Sequence, residues 1–237
     1  MMKDLLQEKN ALYGRFAVTI KLNELNYLDT AKFYPDKTPY DKVAHYAVFG
    51  GSPFVNQALR PTATLRENIV STILNPVSAV YLYASQLLLS DYSVKISAER
   101  IFAVIGNGKK RYSEIEDKLD VKKTGNLAKQ MKPLRDLEII SRNYPINKLN
   151  DSKKSTFEIN DNLLRFYFTF IYKNASALQV LGAEAFYDEY VAPTLTDFIS
   201  RRFEGICRDY FSLQVRSGKL KGVRNIGSYY YDDPVHR

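Results

Sequence analysis

Between residues 95 and 160 the apolar spacing passes through three short helical patterns and then two short β-prone runs, an order that leaves few folds open. "SAERIFAVIGNG" spaces Ile101, Phe102, Val104 and Ile105 as a helix, with Ser97 in the capping position. "RYSEIEDKLDV" follows, with Ser113 placed to cap it and Ile115 and Leu119 one turn apart. "KKTGNLAKQMKPLRDLEII" sets Leu127, Met131, Leu134 and Leu137 at helical spacing, with Pro133 expected to kink or shorten the helix. "IISRNY" and "STFEIN" then flank the polar loop "NKLNDSKK" and suit a hairpin. Three short helices closed by a hairpin describe a winged helix-turn-helix over residues 95–160, with the third helix as its recognition helix.

That third helix offers Lys122, Lys123, Lys129, Lys132 and Arg135 for phosphates, and Asn126 and Gln130 for base edges. The wing adds Lys148, Lys153 and Lys154. A formal net charge of +8 favours a polyanionic partner such as duplex DNA. Winged helices also serve as packing or protein-docking modules, and lysines on an exposed helix face are common, so both uses stay open on the residues alone.

The rest of the chain reads as mainly α. From Tyr27 to about residue 94 the pattern is helical, and Thr38 before Pro39 and Ser52 before Pro53 each give a cap followed by proline at the first helical position. "FGGSPF" at 49–54 is therefore a helix, a glycine break and a new helix. Residues 3–11 suggest a short helix, and "FAVTIKL" at 16–22 alternates as a single strand whose neighbours must lie elsewhere. Beyond Asn160, "DNLLRFYFTFIYKNASAL" is capped by Asp161 and apolar nearly all round, which implies burial. Two more helices, split near Pro193, and a strand-like "SYYY" complete the pattern.

Several chemistries are disfavoured. One cysteine, Cys207, precludes an internal disulfide, and two histidines, His45 and His236, far apart in sequence, make a His/Cys metal cluster improbable; no metal site is expected. No G-x-x-x-x-G-K-[ST] loop, G-x-S-x-G or H-E-x-x-H is present, and Asp232 and Asp233 read as a solvated terminal pair. No run reaches the ~18 apolar residues of a membrane helix, and the N-terminus is charged, so a cytoplasmic protein without membrane association is expected.

Taken in order, "ALYGRF", "YAVFGGSPFV", "RDLEIISRNYP", "STFEINDNLLRFYFTFI" and "RRFEGICRDYF" followed by "IGSYYYDD" resemble the C-terminal part of the archaeal- and bacterial-type ATPases of the AAA-related, signal-transduction (STAND) class. The resemblance implies a remnant of the ATPase core at 1–26, a helical lid at 27–94, the winged helix at 95–160 and, at 161–237, a helical region corresponding to a truncated nuclease-like domain. It gives Gly51 and Pro53 a nucleotide-binding place, packed against the base from the lid side. It gives Arg15 the place of an arginine finger, and Glu204 that of one carboxylate of an incomplete nuclease site. ATP and magnesium are implied only where a P-loop domain completes the site, so the chain alone is expected neither to hydrolyse ATP nor to cut nucleic acid. Two functions follow as expectations: a regulatory, DNA-binding portion of a P-loop ATPase, or a protein-interaction module that docks an ATPase domain. The chain is then a fragment, one half of a split gene, or a degenerate paralogue.

Overall fold

The structure is a computed structural model that describes residues 22–90, 97–106, 108, 110–120 and 126–231. The helix expected at 3–11, Arg15, the strand at 16–22 except Leu22, Lys122, Lys123 and the Asp232–Asp233 pair lie outside the described residues.

The fold is mainly α. Helix α1 (Tyr27–Thr30) runs into a 3-10 turn, and α2 (Pro39–Phe49) follows. Thr38 caps α2 by accepting the Asp41 amide at 3.1 Å, with Pro39 in the first turn where a missing N–H costs nothing. Gly50 then takes φ +73, a conformation that suits glycine, and stops the helix. Helix α3 (Pro53–Ala58) restarts at once. Helix α4 (Leu65–Asn68), opened by a Thr64–Glu67 capping box, continues as a π turn over Ile69–Ile73, and α5 (Ala79–Ser90) ends this first run.

Helix α6 (Ser97–Ile105), strand β1 (Lys110–Arg111), helices α7 (Tyr112–Leu119) and α8 (Asn126–Asp136), and strands β2 (Ile140–Asn143) and β3 (Thr156–Ile159) form the middle unit. Its antiparallel sheet has the order β1-β3-β2, with Ile140 opposite Ile159 and Asn143 opposite Thr156. Ser113 is not the cap of α7: the helix begins one residue earlier, and Glu114 reaches back to accept the Arg111 amide at 2.6 Å. Pro133 neither kinks nor shortens α8, since the bond it cannot donate lies on the exposed face and the helix continues to Asp136. Leu137 therefore falls beyond the helix and stays exposed, whereas Leu127, Met131 and Leu134 are buried.

The last run comprises α9 (Asn162–Phe166), a π turn over Tyr167–Ile171, α10 (Ala175–Phe186) and, after a second π turn, α11 (Ala192–Arg216). Asp161 caps α9, accepting the Leu164 amide at 2.8 Å. "SYYY" is not a strand among the described residues; Tyr230 instead pairs with the Asn147 side chain, which donates to its carbonyl and accepts its amide, each at 2.8 Å.

Two cores result. One gathers Phe49, Ile69 and Ile73 from the first run with Phe166, Phe170, Phe186 and Phe198 from the last, so the segments 27–90 and 162–199 share a single interior. The other lies inside the middle unit, around Phe102, Ile115, Leu134, Phe157 and Ile159. The segment 163–171 belongs to both: Leu163, Phe166 and Phe170 enter the first core, Leu164 and Phe168 the second. Phe166 is fully buried, 4.7 Å from Phe170 and 5.7 Å from Phe198 between ring centroids. Phe166→Ala is expected to cost about 3–5 kcal/mol of stability, read as a lower denaturation midpoint in urea.

Candidate functional site

Helix α8 presents two faces. Leu127, Met131 and Leu134 pack inward on the sheet and α6, leaving Asn126, Lys129, Lys132 and Arg135 exposed and Gln130 partly so. The described residues proposed for DNA therefore share one open, cationic helix surface. The loop between β2 and β3, the expected wing, is tied by Arg142, whose Nε donates to Ser155 Oγ at 2.8 Å and whose guanidinium lies over Tyr144 and Phe157. Lys148 and Lys153 are exposed on it. Lys154 is engaged with the C-terminal tail instead: its Nζ donates to the Tyr230 hydroxyl at 2.7 Å and sits 4.2 Å from the ring centroid.

The glycines of "FGGSPF" meet the chain itself. A Cβ on Gly51 would fall 1.9 Å from the Leu25 carbonyl oxygen, and the Leu25 amide donates to Gly51 O at 3.1 Å. Close backbone approach at Gly51 is thus fully used by residues 24–25. Pro53 and Phe54 are exposed, with the Phe54 ring tilted against Tyr83 at 5.1 Å between centroids.

Beside this junction lies a cavity of about 570 Å³ lined in part by Glu24, Tyr46, Asp161, Arg202, Asp209 and Arg216. These residues come from the segment before α1, from α2, from the cap of α9 and from α11, so only the fold brings them together. Arg202 Nε is buried with no hydrogen-bond partner. Burial of the carboxyl, then the charge of Asp161, lift Glu24 from its ordinary 4.5 to about 7. Asp161 is also raised, by burial, against the amides of Leu164 and Leu163. A carboxyl that titrates near neutrality beside a second carboxyl and an arginine is equipped to hold or pass a proton in this cleft. Nothing in the local sequence marks Glu24, because the groups around it, Gly51, Asp161 and Arg202, come from distant parts of the chain.

Glu204 is exposed on α11. It accepts the Ser228 hydroxyl at 2.5 Å and lies 3.7 Å from Arg208, which in turn reaches Glu158. It therefore ties the tail to α11 and the sheet. His45 is buried, its Nδ1 2.7 Å from Asp41 O and its Nε2 near Asn68, a packing role. Among the described residues there is no group of three or more His, Cys, Asp or Glu able to hold a metal ion, and no helix long and apolar enough to cross a membrane.

Residues 167–234 match a family model described as archaeal and bacterial proteins of unknown function. An uncharacterized protein of Methanocaldococcus jannaschii, MJECL04, is 24% identical over 222 residues, which cover 93% of this chain and 49% of that protein. The chain thus spans about half the length of the curated relative it matches. No solved structure matches it significantly.

Folding raises the affinity of Glu24 for a proton, so its contribution to stability is full below about 4.5 and is lost as pH rises through about 7. Glu24→Gln is expected to flatten that decline, as measured by urea midpoints across this range, with the remaining slope set by Asp161.

Proposed function

We propose that this chain is the regulatory, duplex-DNA-binding portion of a longer P-loop ATPase, in which α8 lies against the phosphate backbone. The observation that carries the reading is the open face of α8, where Lys129, Lys132 and Arg135 stand exposed on a helix whose other side is locked into a core. A recognition helix needs that division: burial fixes its register, and free cations replace condensed counterions along the duplex. The net charge of +8 supports long-range attraction to the same partner. The relative of about twice the length leaves room for an ATP-hydrolysing half. ATP and magnesium would act through that half, because the P-loop signature is absent from this sequence.

A second reading, in which the chain docks an ATPase domain, is favoured by one observation: Pro53 and Phe54 are exposed at the start of a helix whose preceding loop is held in place by Leu25. An apolar, rigid corner of this kind suits contact with a folded partner or a nucleotide base held by one. Pro53→Ala would then weaken co-purification with a P-loop protein and leave DNA binding unchanged.

For the first reading, affinity for a mixed-sequence duplex is expected to fall steeply with salt in fluorescence anisotropy. The double variant Lys129→Glu, Lys132→Glu should weaken binding uniformly across sequences. It should also reduce the log–log salt slope by roughly 0.9 for each lysine–phosphate pair removed. A flat salt response, or an unchanged slope in the variant, removes the DNA reading and leaves the docking one.

A further inference from the structure

Arg165 sits on α9 between the two cores, and its residue surface is only 3% exposed. A buried guanidinium in a folded protein is ordinarily paired and hydrogen-bonded, because its desolvation is otherwise uncompensated. Here it is neither. Among the described residues the Arg165 side chain donates no hydrogen bond; its named neighbour is the Phe198 ring, 5.5 Å from the guanidinium carbon. The acid that acts on it most, Glu158, is already taken up by Asn143 at 2.5 Å and by Arg208 at 3.8 Å.

What Arg165 does have is a cavity of about 230 Å³, bounded by Gly106 and Gly108 on one side and by α11 on the other. Arg201 lines the same space, its guanidinium set against Gly108, where a Cβ would lie 3.1 Å from Nη1. Gly108 takes φ +112, a conformation that L side chains rarely adopt, so a residue with a Cβ is strained at that position. Thr194 contributes a hydroxyl donor to the lining. Burial, and then the charges of Arg202 and Arg201, press the Arg165 guanidinium down to about 10, the expected sign for a cation held out of water near other cations. The acid in the lining, Asp197, is itself exposed, and its carboxylate suits a phosphate oxygen that still carries a proton.

We infer that this cavity between Gly106, Gly108 and α11 is a binding site for a phosphoryl oxyanion, with Arg165 as its buried cation and Arg201 as its outer one. The planar fork of a guanidinium matches two oxygens of one phosphate, and a low-dielectric wall such as Phe198 strengthens that pairing. No residue of α8 lines the cavity, so the site stands or falls independently of the DNA reading. Free phosphate, a nucleotide and a backbone phosphate share this chemistry.

Thermal unfolding of the whole chain, with inorganic phosphate titrated against chloride at constant ionic strength and no nucleic acid present, tests the site. The wild type is expected to gain about 5 °C or more in Tm as phosphate approaches saturation. Arg165→Met should retain cooperative unfolding and lose that gain; phosphate also stabilises proteins generally by exclusion, so the difference between proteins is the readout. Arg201→Ala, at an exposed position, should shrink the gain and keeps the test valid even where Arg165→Met does not fold. Parallel titrations with ATP and with a short duplex identify the source by which one saturates first. A wild-type gain no larger than in matched chloride, or an equal gain in Arg201→Ala, overturns the inference.

Discussion

One short segment holds the molecule together. Leu163, Phe166 and Phe170 face the core made by the first and last helical runs, while Leu164 and Phe168 face the core of the helix-and-sheet unit. A regular α-helix is able to serve two sides this way only while its side chains stay in step with both, and the π turn at Tyr167–Ile171 shifts the step within the segment. Phe102 and Phe168 meet at 5.3 Å on one side, Phe166 and Phe198 at 5.7 Å on the other. The orientation of α8, and so of its cationic face, depends on that segment, because the sheet beneath α8 and the helices behind it are fastened to the same ten residues or so.

Much of this was legible in the chain. The Thr38-Pro39 start, the Asp161 cap and the alternation that pairs Ile140 with Ile159 follow from local rules, and the structure has a helix or strand at each. "DNLLRFYFTFIY" announced burial all round, and the reason is now plain: it has a core on each side. What local pattern could not supply was which distant helices would share an interior. Residues 27–90 and 162–199 are separated by a complete unit, and periodicity carries no information about partners across such a gap.

The sites divide in the same way. The exposed face of α8 was readable because burial of Leu127, Met131 and Leu134 fixes where Lys129 and Lys132 must point. Glu24 was not, because its altered acidity comes from burial and then from Asp161, both of which the folded chain alone provides. Nor was Arg165: the apolar run around it implied burial, but not that its guanidinium would line a cavity. For "FGGSPF" the order of residues predicted the break but not its cause: the second glycine exists to admit the Leu25 carbonyl. Glycine pairs signal close approach, and sequence does not say what approaches.

The tail that crosses the wing is held by side chains where a strand would use its ladder. The Asn147 carboxamide offers Tyr230 both the donor and the acceptor that a neighbouring backbone would, and Lys154 adds a grip on the Tyr230 hydroxyl. Of the backbone, only Ile146 N–H to Ser228 O joins the two among the described residues. Such a fastening behaves as a latch more than a weld: undoing it leaves every rung between β2 and β3 intact and frees the Lys154 ammonium from the Tyr230 hydroxyl.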